Sequence, residues 1–318
     1  MNLTAEVIVG DNRETLKQLS DKSVQTVVTS PPYWGLRDYG EDEQIGLEGS
    51  PQDFVEQLCL VFDEIWRVLK DDGTIWVNLG DSYSAMRDSK AVPDTLREGD
   101  GTRVAKAANR NPANLRAAGL KHKDLVGIPW RFAFAMQDRG WYLRQDIIWA
   151  KPNPMPESVT DRCTKSHEYI FLLTKSAKYF YDHDAIKEDA TTEPTVRDRS
   201  KENYQQSFSG GRFSEGARQF GSDDMKKNKR SVWTIATKPY KDAHFATYPP
   251  ELITPCIVAG SKENDIVLDP FSGSGTTGEV ALLHNRNYIG LELNPEYAKL
   301  SEKRLLEAGG MFASVSVR

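Results

Sequence analysis

One stretch near the end of this 318-residue chain constrains its fold more than any other. A strand-like run, Asp265 to Leu268, passes through Asp269-Pro-Phe-Ser-Gly-Ser-Gly-Thr-Thr-Gly278 into a helix expected from Gly275 to His284. Gly273, Gly275 and Gly278 have G-x-G-x-x-G spacing, in which glycine lets backbone approach a ligand and the helix N-terminus offers free N–H groups. The next strand, Asn287 to Leu291, leads to Glu292, an acid placed to accept both hydroxyls of a ribose. An adenosine-containing ligand follows. Glu279 stands where a phosphate-binding loop needs lysine, which disfavours phosphoryl transfer. Only about fifty residues remain after Ile266, so N-terminal strands must complete the sheet. The fold class is therefore α/β, Rossmann-like and mostly parallel, in circularly permuted order.

The N-terminal part supplies those strands. Val24 to Thr29 reads as a strand that ends at Ser30-Pro31-Pro32-Tyr33, because two prolines cannot continue a central strand. Pro51 to Lys70 has the helical period, and Asp72-Gly73 is expected to turn it into a strand from Thr74 to Leu79. A second unit is expected from a helix at Pro129 to Asp138 and strands at Leu143 to Trp149 and Glu168 to Leu173. Helices at Pro249 to Ala259 and Pro295 to Leu306 complete the pattern. Ser84 to Asp124 and Ala190 to Lys229 are polar and aperiodic, and read as insertions.

Ser30-Pro31-Pro32-Tyr33 suits chemistry on an exocyclic base amine. Such an amine is a poor nucleophile because its lone pair is delocalised into the ring. Ser30 Oγ and the Pro31 carbonyl can accept its two hydrogens, while Pro32 adds rigidity without a competing N–H. Tyr33, together with Trp34, offers a flat face for an extruded base.

Three segments carry a family resemblance. Thr29 to Trp34 resembles the catalytic motif of the class β amino-methyltransferases of bacterial restriction-modification systems and prophages, Leu268 to Thr277 their S-adenosylmethionine loop, and Tyr288 to Leu293 their ribose-binding strand. Catalytic motif first and cofactor loop last is the β order. The resemblance implies S-adenosyl-L-methionine as cofactor, double-stranded DNA as substrate, base flipping, and a cognate restriction endonuclease as partner. It implies cofactor contacts at Asp269, Phe271, Ser272, Gly273, Gly275, Thr276, Thr277 and Glu292. Shorter matches add Asp11, from Gly10-Asp11, and Phe245 and Thr247, from Ala243 to Pro249. Lys151 to Pro156 resembles a proline-rich loop near the flipped base, a rigid structural loop being the other reading. Serine at the head of the tetrapeptide implies N4-cytosine as target, with N6-adenine the alternative. The implied organisation is 1–83 catalytic half, 84–124 polar insertion, 125–189 continuation of the catalytic half, 190–230 target recognition and 231–318 cofactor half.

Bulk properties qualify this reading. The net charge is -5, yet residues 84–124 carry nine Lys/Arg against five Asp/Glu and residues 185–245 carry twelve against nine. Positive charge is concentrated in the two insertions, which suits a polyanion but equally suits solvated loops. Cys59, Cys163 and Cys256 match no disulfide or zinc spacing, so no metal is expected. No run of about 18 apolar residues occurs, and a cytoplasmic protein is expected. Pro255-Cys256 lies in an apolar helical run and reads as core rather than nucleophile; His167, Glu168 and His183 read as ordinary strand and loop residues, and Asp81 as a turn cap. A nucleotide-binding oxidoreductase would need a hydride-transfer acid or base that is not evident. A non-catalytic DNA-binding protein would bind without cofactor.

Overall fold

The computed structural model describes residues 3–35, 41, 44–84, 119–189, 226–237 and 248–318. Among these, β1 (Leu3–Val9), β2 (Val24–Thr29), β3 (Leu69–Leu79), β4 (Tyr142–Ala150), β5 (His167–Thr174), β8 (Val232–Thr234), β9 (Ile266–Asp269), β10 (Asn287–Glu292) and β11 (Ala313–Val317) form one sheet in the order β11-β1-β10-β9-β2-β3-β5-β4-β8. A separate two-stranded ribbon joins β6 (Glu188–Asp189) to β7 (Lys226–Lys227). Within the large sheet only β5 is antiparallel to its neighbours. The expectation of a mostly parallel, permuted α/β sheet holds.

Alternation along the strands separates two apolar layers, because successive side chains point to opposite faces. Val27, Ile75, Val77 and Leu173 pack with α2 (Pro51–Val68) and α3 (Ile128–Asp138), whereas Val28, Trp76 and Leu172 pack with α4 (Pro250–Gly260), α5 (Thr276–Leu283) and α6 (Pro295–Gly309). All six residues of β2 are buried, as a strand covered on both faces requires. Helix α2 starts where the Ser50 side chain caps the Asp53 N–H and Pro51 fixes the first turn; it buries Phe54, Leu58, Phe62 and Ile65 and stops as Leu69 becomes extended. The nested Thr26, Thr74 and Trp76 side chains hydrogen-bond one another beneath Gly260, where a Cβ would meet Thr26 Oγ1 at 2.6 Å.

Some expectations fail in detail. Asp72-Gly73 makes no turn: β3 begins at Leu69 and runs through both residues, the surplus being absorbed by a register shift against β2 between Val24 and Thr26. Gly73 fits there because a Cβ would lie 2.6 Å from Leu69 Cγ and 2.9 Å from the Gln25 carbonyl. The unit after α3 is no parallel crossover, since no helix lies between β4 and β5 and the chain returns antiparallel. Strands β1 and β11 were not expected. The large insertions lie mostly outside the described residues.

Candidate functional site

With every strand but β5 running one way, the ends of β1, β10, β9, β2, β3 and β4 share one carboxyl edge, the edge where ligands bind in open α/β sheets. The reversed β5 brings its first residues, His167 and Glu168, to that same edge, where Glu168 pairs with Trp149. Ser30 follows β2 and Asp269 closes β9, so the tetrapeptide and the glycine turn leave adjacent strands.

A hydrogen bond ties them. Thr29 Oγ1 donates to Asp269 Oδ1 at 2.6 Å, and the same carboxylate accepts from Thr277 Oγ1 at 2.6 Å, Phe271 N at 3.0 Å and Tyr248 Oη at 3.2 Å. Burial raises the Asp269 carboxyl, and its four donors oppose that shift, Thr277 and Thr29 foremost. Asp269 and Thr277 thus direct their side chains into the protein. Ser272 Oγ pairs with Tyr288 Oη at 2.9 Å, and Thr276 Oγ1 accepts from Arg304 at 2.8 Å. These four expected cofactor residues shape the loop with their side chains.

The glycines also divide. At Gly275, φ is +78° and a Cβ would lie 2.4 Å from Ser301 Oγ and 3.1 Å from Ser301 Cα, so its smallness serves the packing of α6 rather than the approach of a ligand. Gly273, φ +52°, faces open space, with only the Phe271 carbonyl at 4.0 Å. Its N–H donates to Glu292 Oε2 at 2.7 Å, and Asn294 N–H donates to Oε1 at 2.9 Å. Burial pushes the Glu292 carboxyl up to about 7 against these donors and the Leu293 backbone. Each oxygen keeps acceptor capacity for a further donor, which fits a vicinal diol. Phe271, two residues before Gly273 in the same turn, is half-buried. Open backbone at Gly273, a diol acceptor and an apolar ring together suit a nucleoside.

Asp11 lies at the same edge, after β1, where Gly10 N–H bonds the Glu292 carbonyl at 2.9 Å. Its side chain caps α1 (Asn12–Thr15) through Arg13 N and pairs with the Arg13 guanidinium at 2.5 Å. Burial opposes the shift, but Arg13 lowers the Asp11 carboxyl overall. Asn12, which the sequence did not single out, is buried and donates to the Pro270 carbonyl at 2.9 Å. Phe245 and Thr247 lie outside the described residues; Tyr248, just after them, bonds Asp269 and Thr277.

At the tetrapeptide, Pro31 is buried while Ser30, Pro32 and Tyr33 are partly exposed. Trp34 offers no stacking face, being 5% exposed with its indole N–H on the Glu48 carbonyl at 2.9 Å. The Tyr33 ring packs on Gly80, where a Cβ would lie 2.5 Å from Cε2. Burial raises the Tyr33 phenol well above its ordinary range, and the charge of Glu168 adds to this; hydrogen bonds from the Ser30 side chain and the Gly80 backbone act the other way. Tyr33 Oη donates to Glu168 Oε2 at 2.7 Å, which also accepts from Asn78 Nδ2 at 3.1 Å. The Lys151 ammonium pairs with Glu168 Oε1 and lies 4.2 Å from the Trp149 ring centre. Glu168 is therefore no ordinary strand residue. Only its position, beside a reversed strand end, signals this.

The remaining expectations are simpler. Asn153 exchanges hydrogen bonds with the Thr237 backbone, a structural bracing. Asp81 caps α3 through Gly127 N and Ile128 N. Cys256 is fully buried and its thiol is raised by burial, which suits core and not nucleophile. No helix among the described residues is long and apolar enough to cross a membrane.

Known proteins are similar to this chain in sequence and in fold. A family model described as DNA methylase matches residues 24–303. The chain is 48% identical over 307 residues to the Type II methyltransferase M.Cfr9I of Citrobacter freundii, covering 95% of this chain and 87% of that protein. It is 46% identical over 303 residues to the Type II methyltransferase M.SmaI of Serratia marcescens, covering 95% and 91%. Its fold is similar to that of the PvuII DNA methyltransferase (cytosine-N4-specific), with a TM-score of 0.62 at 18% identity over 99% of this chain and 96% of that one. It is also similar to a putative DNA modification methylase of Thermus thermophilus complexed with S-adenosyl-L-methionine, with a TM-score of 0.58 at 24% identity over 98% and 99%.

Proposed function

The chain belongs to the DNA methylase family and is a Type II DNA methyltransferase, and from that premise we propose that it transfers a methyl group from S-adenosylmethionine to the exocyclic N4 amine of a cytosine flipped out of duplex DNA. The observation that carries this reading is the 2.6 Å bond from Thr29 to Asp269, which fixes the catalytic tetrapeptide against the cofactor loop on neighbouring strands.

When bound, S-adenosylmethionine supplies an electrophilic methyl on a sulfonium. The chain's own residues do the rest. Glu292 receives the ribose hydroxyls, Gly273 leaves its backbone clear for them, and Phe271 and Asp11 border the adenosine. Ser30 Oγ and the Pro31 carbonyl accept the two amine hydrogens, drawing the nitrogen lone pair out of conjugation toward the methyl. Holding the two reactants in line converts a two-body encounter into a one-body step, which is where much of the acceleration in such transfers arises. Tyr33, partly exposed, offers its ring to the flipped base. The segments 190–230 and 84–124, with their excess of basic residues, are the target-recognition region and a second DNA contact.

The reading is tested by incubating purified protein with duplex DNA and cofactor labelled in its methyl group, then hydrolysing the DNA and separating the bases. Label in N4-methylcytosine is expected; label in N6-methyladenine would replace the cytosine assignment by adenine. Ser30→Ala should lower methyl transfer by at least about a hundredfold while cofactor affinity holds.

A further inference from the structure

A serine hydroxyl is both donor and acceptor. To accept an amine hydrogen, Ser30 must direct its own hydrogen elsewhere, and nothing in the tetrapeptide alone decides where. The phenol of Tyr33 faces the same ambiguity. The structure fixes the phenol from outside the motif, because Tyr33 Oη donates at 2.7 Å to Glu168 Oε2, a carboxylate that can only accept.

We infer that Glu168 is a positioning residue for methyl transfer: it holds the Tyr33 hydroxyl as a donor, so that the Tyr33 oxygen accepts from Ser30 and the Ser30 lone pairs face the target amine. This rests on the methyl-transfer reading of Ser30. Glu168 is held for the task on three sides. Asn78 Nδ2 donates to the same Oε2 at 3.1 Å, the Lys151 ammonium pairs with Oε1, and Trp149 backs Lys151 at 4.2 Å. Gly80 packs against the same phenol, since a Cβ there would lie 3.2 Å from Tyr33 Oη. Two neighbours at the carboxyl edge thereby acquire a shared role: Lys151 fixes Glu168, and the reversed direction of β5 is what brings Glu168 within reach.

Glu168→Gln reverses the chain. The single remaining side-chain oxygen goes to Lys151, since an ammonium cannot accept, and the amide N–H turns toward Tyr33. Tyr33 then donates to Ser30, and the Ser30 hydrogen points at the amine it should receive. In steady-state assays of the full chain with duplex DNA, Glu168→Gln should lower kcat about 10- to 100-fold, while KM for DNA and Kd for S-adenosylmethionine stay within about twofold. Tyr33→Phe, which removes one oxygen and leaves the ring on Gly80, should do the same. The double variant should be no slower than the slower single variant, because both break one series. Wild-type kcat in either single variant, losses that multiply in the double, or a loss confined to KM or Kd would overturn the inference. If Glu168→Gln does not fold, judged by its melting temperature, Tyr33→Phe alone decides. An active Ser30→Ala would overturn the methyl-transfer reading itself, whereas inactive Ser30→Ala beside fully active Glu168→Gln would overturn only the role of Glu168.

Discussion

Glu292 carries a pH signature that separates a ribose acceptor from a mere loop anchor. Burial pushes its carboxyl from the ordinary 4.5 up to about 7, outweighing the backbone donors, and the charge of Asp269 adds to the rise. Between those values the folded state holds a proton the unfolded state has lost, so the ligand-free protein loses stability as pH rises through that window. Hydroxyls of a bound ribose donate to the ionised form. Cofactor binding should therefore release a proton below about pH 7, and affinity should tighten as pH rises toward 7 and then level off. Calorimetry in two buffers of different ionisation enthalpy reads this directly; a pH-independent Kd without proton release would remove Glu292 from the ribose. Glu292→Gln should weaken binding and erase the trend. Cys59 shows what burial does without such a purpose: its thiol is raised to about 12 inside an apolar cluster.

The turn between β9 and α5 holds two glycines at positive φ whose reasons differ. Ala at Gly275 would force α6 away through the Ser301 backbone, and the expected cost is about 2–4 kcal/mol of stability. At Gly273 the added methyl meets no protein atom closer than 4.0 Å, so Gly273→Ala should cost only about 1 kcal/mol, the strain of a left-handed alanine, while weakening cofactor binding. Thermal unfolding and cofactor titration of the two variants check the division; equal losses of stability would contradict it. Such elements were legible where prolines and glycines punctuate them. The strand before Ser30-Pro31-Pro32-Tyr33, the turn after β9 and the capped helices α2 and α6 all announce themselves within a few residues. Strand β5 was legible, but its direction was not, since direction is set by the connection from β4 and not by local pattern. Glu168 stayed hidden for the same reason, because its partner Tyr33 is 135 residues away. The glycine spacing identified the loop, yet it could not tell a glycine needed by a ligand from one needed by a neighbouring helix.

Across the whole molecule, the two groups of strands meet at β2 and β9, which pair only at Thr26 with Val267 and Val27 with Leu268. Asp269 reinforces this short seam by joining Thr29, Thr277 and Tyr248. Thr29→Val keeps the buried shape and removes one donor, so stability should fall by about 1–3 kcal/mol. Because Thr29 adjoins Ser30, kcat should fall further than cofactor affinity; denaturant unfolding and single-turnover assays check this, and an unchanged kcat would show that the seam does not align the reactants. The other end of the sheet has a different consequence. Strand β1 lies between β10 and β11, so Thr4 bonds Asn287 across 283 residues and Leu3 pairs with Ala313. At a ribosomal pace of about 5–20 residues per second, the interval between making β1 and making both partners is roughly 15–60 s. For that interval the nascent chain carries a strand whose edges are not yet both covered, an invitation to chaperones until β10 and β11 emerge to close it.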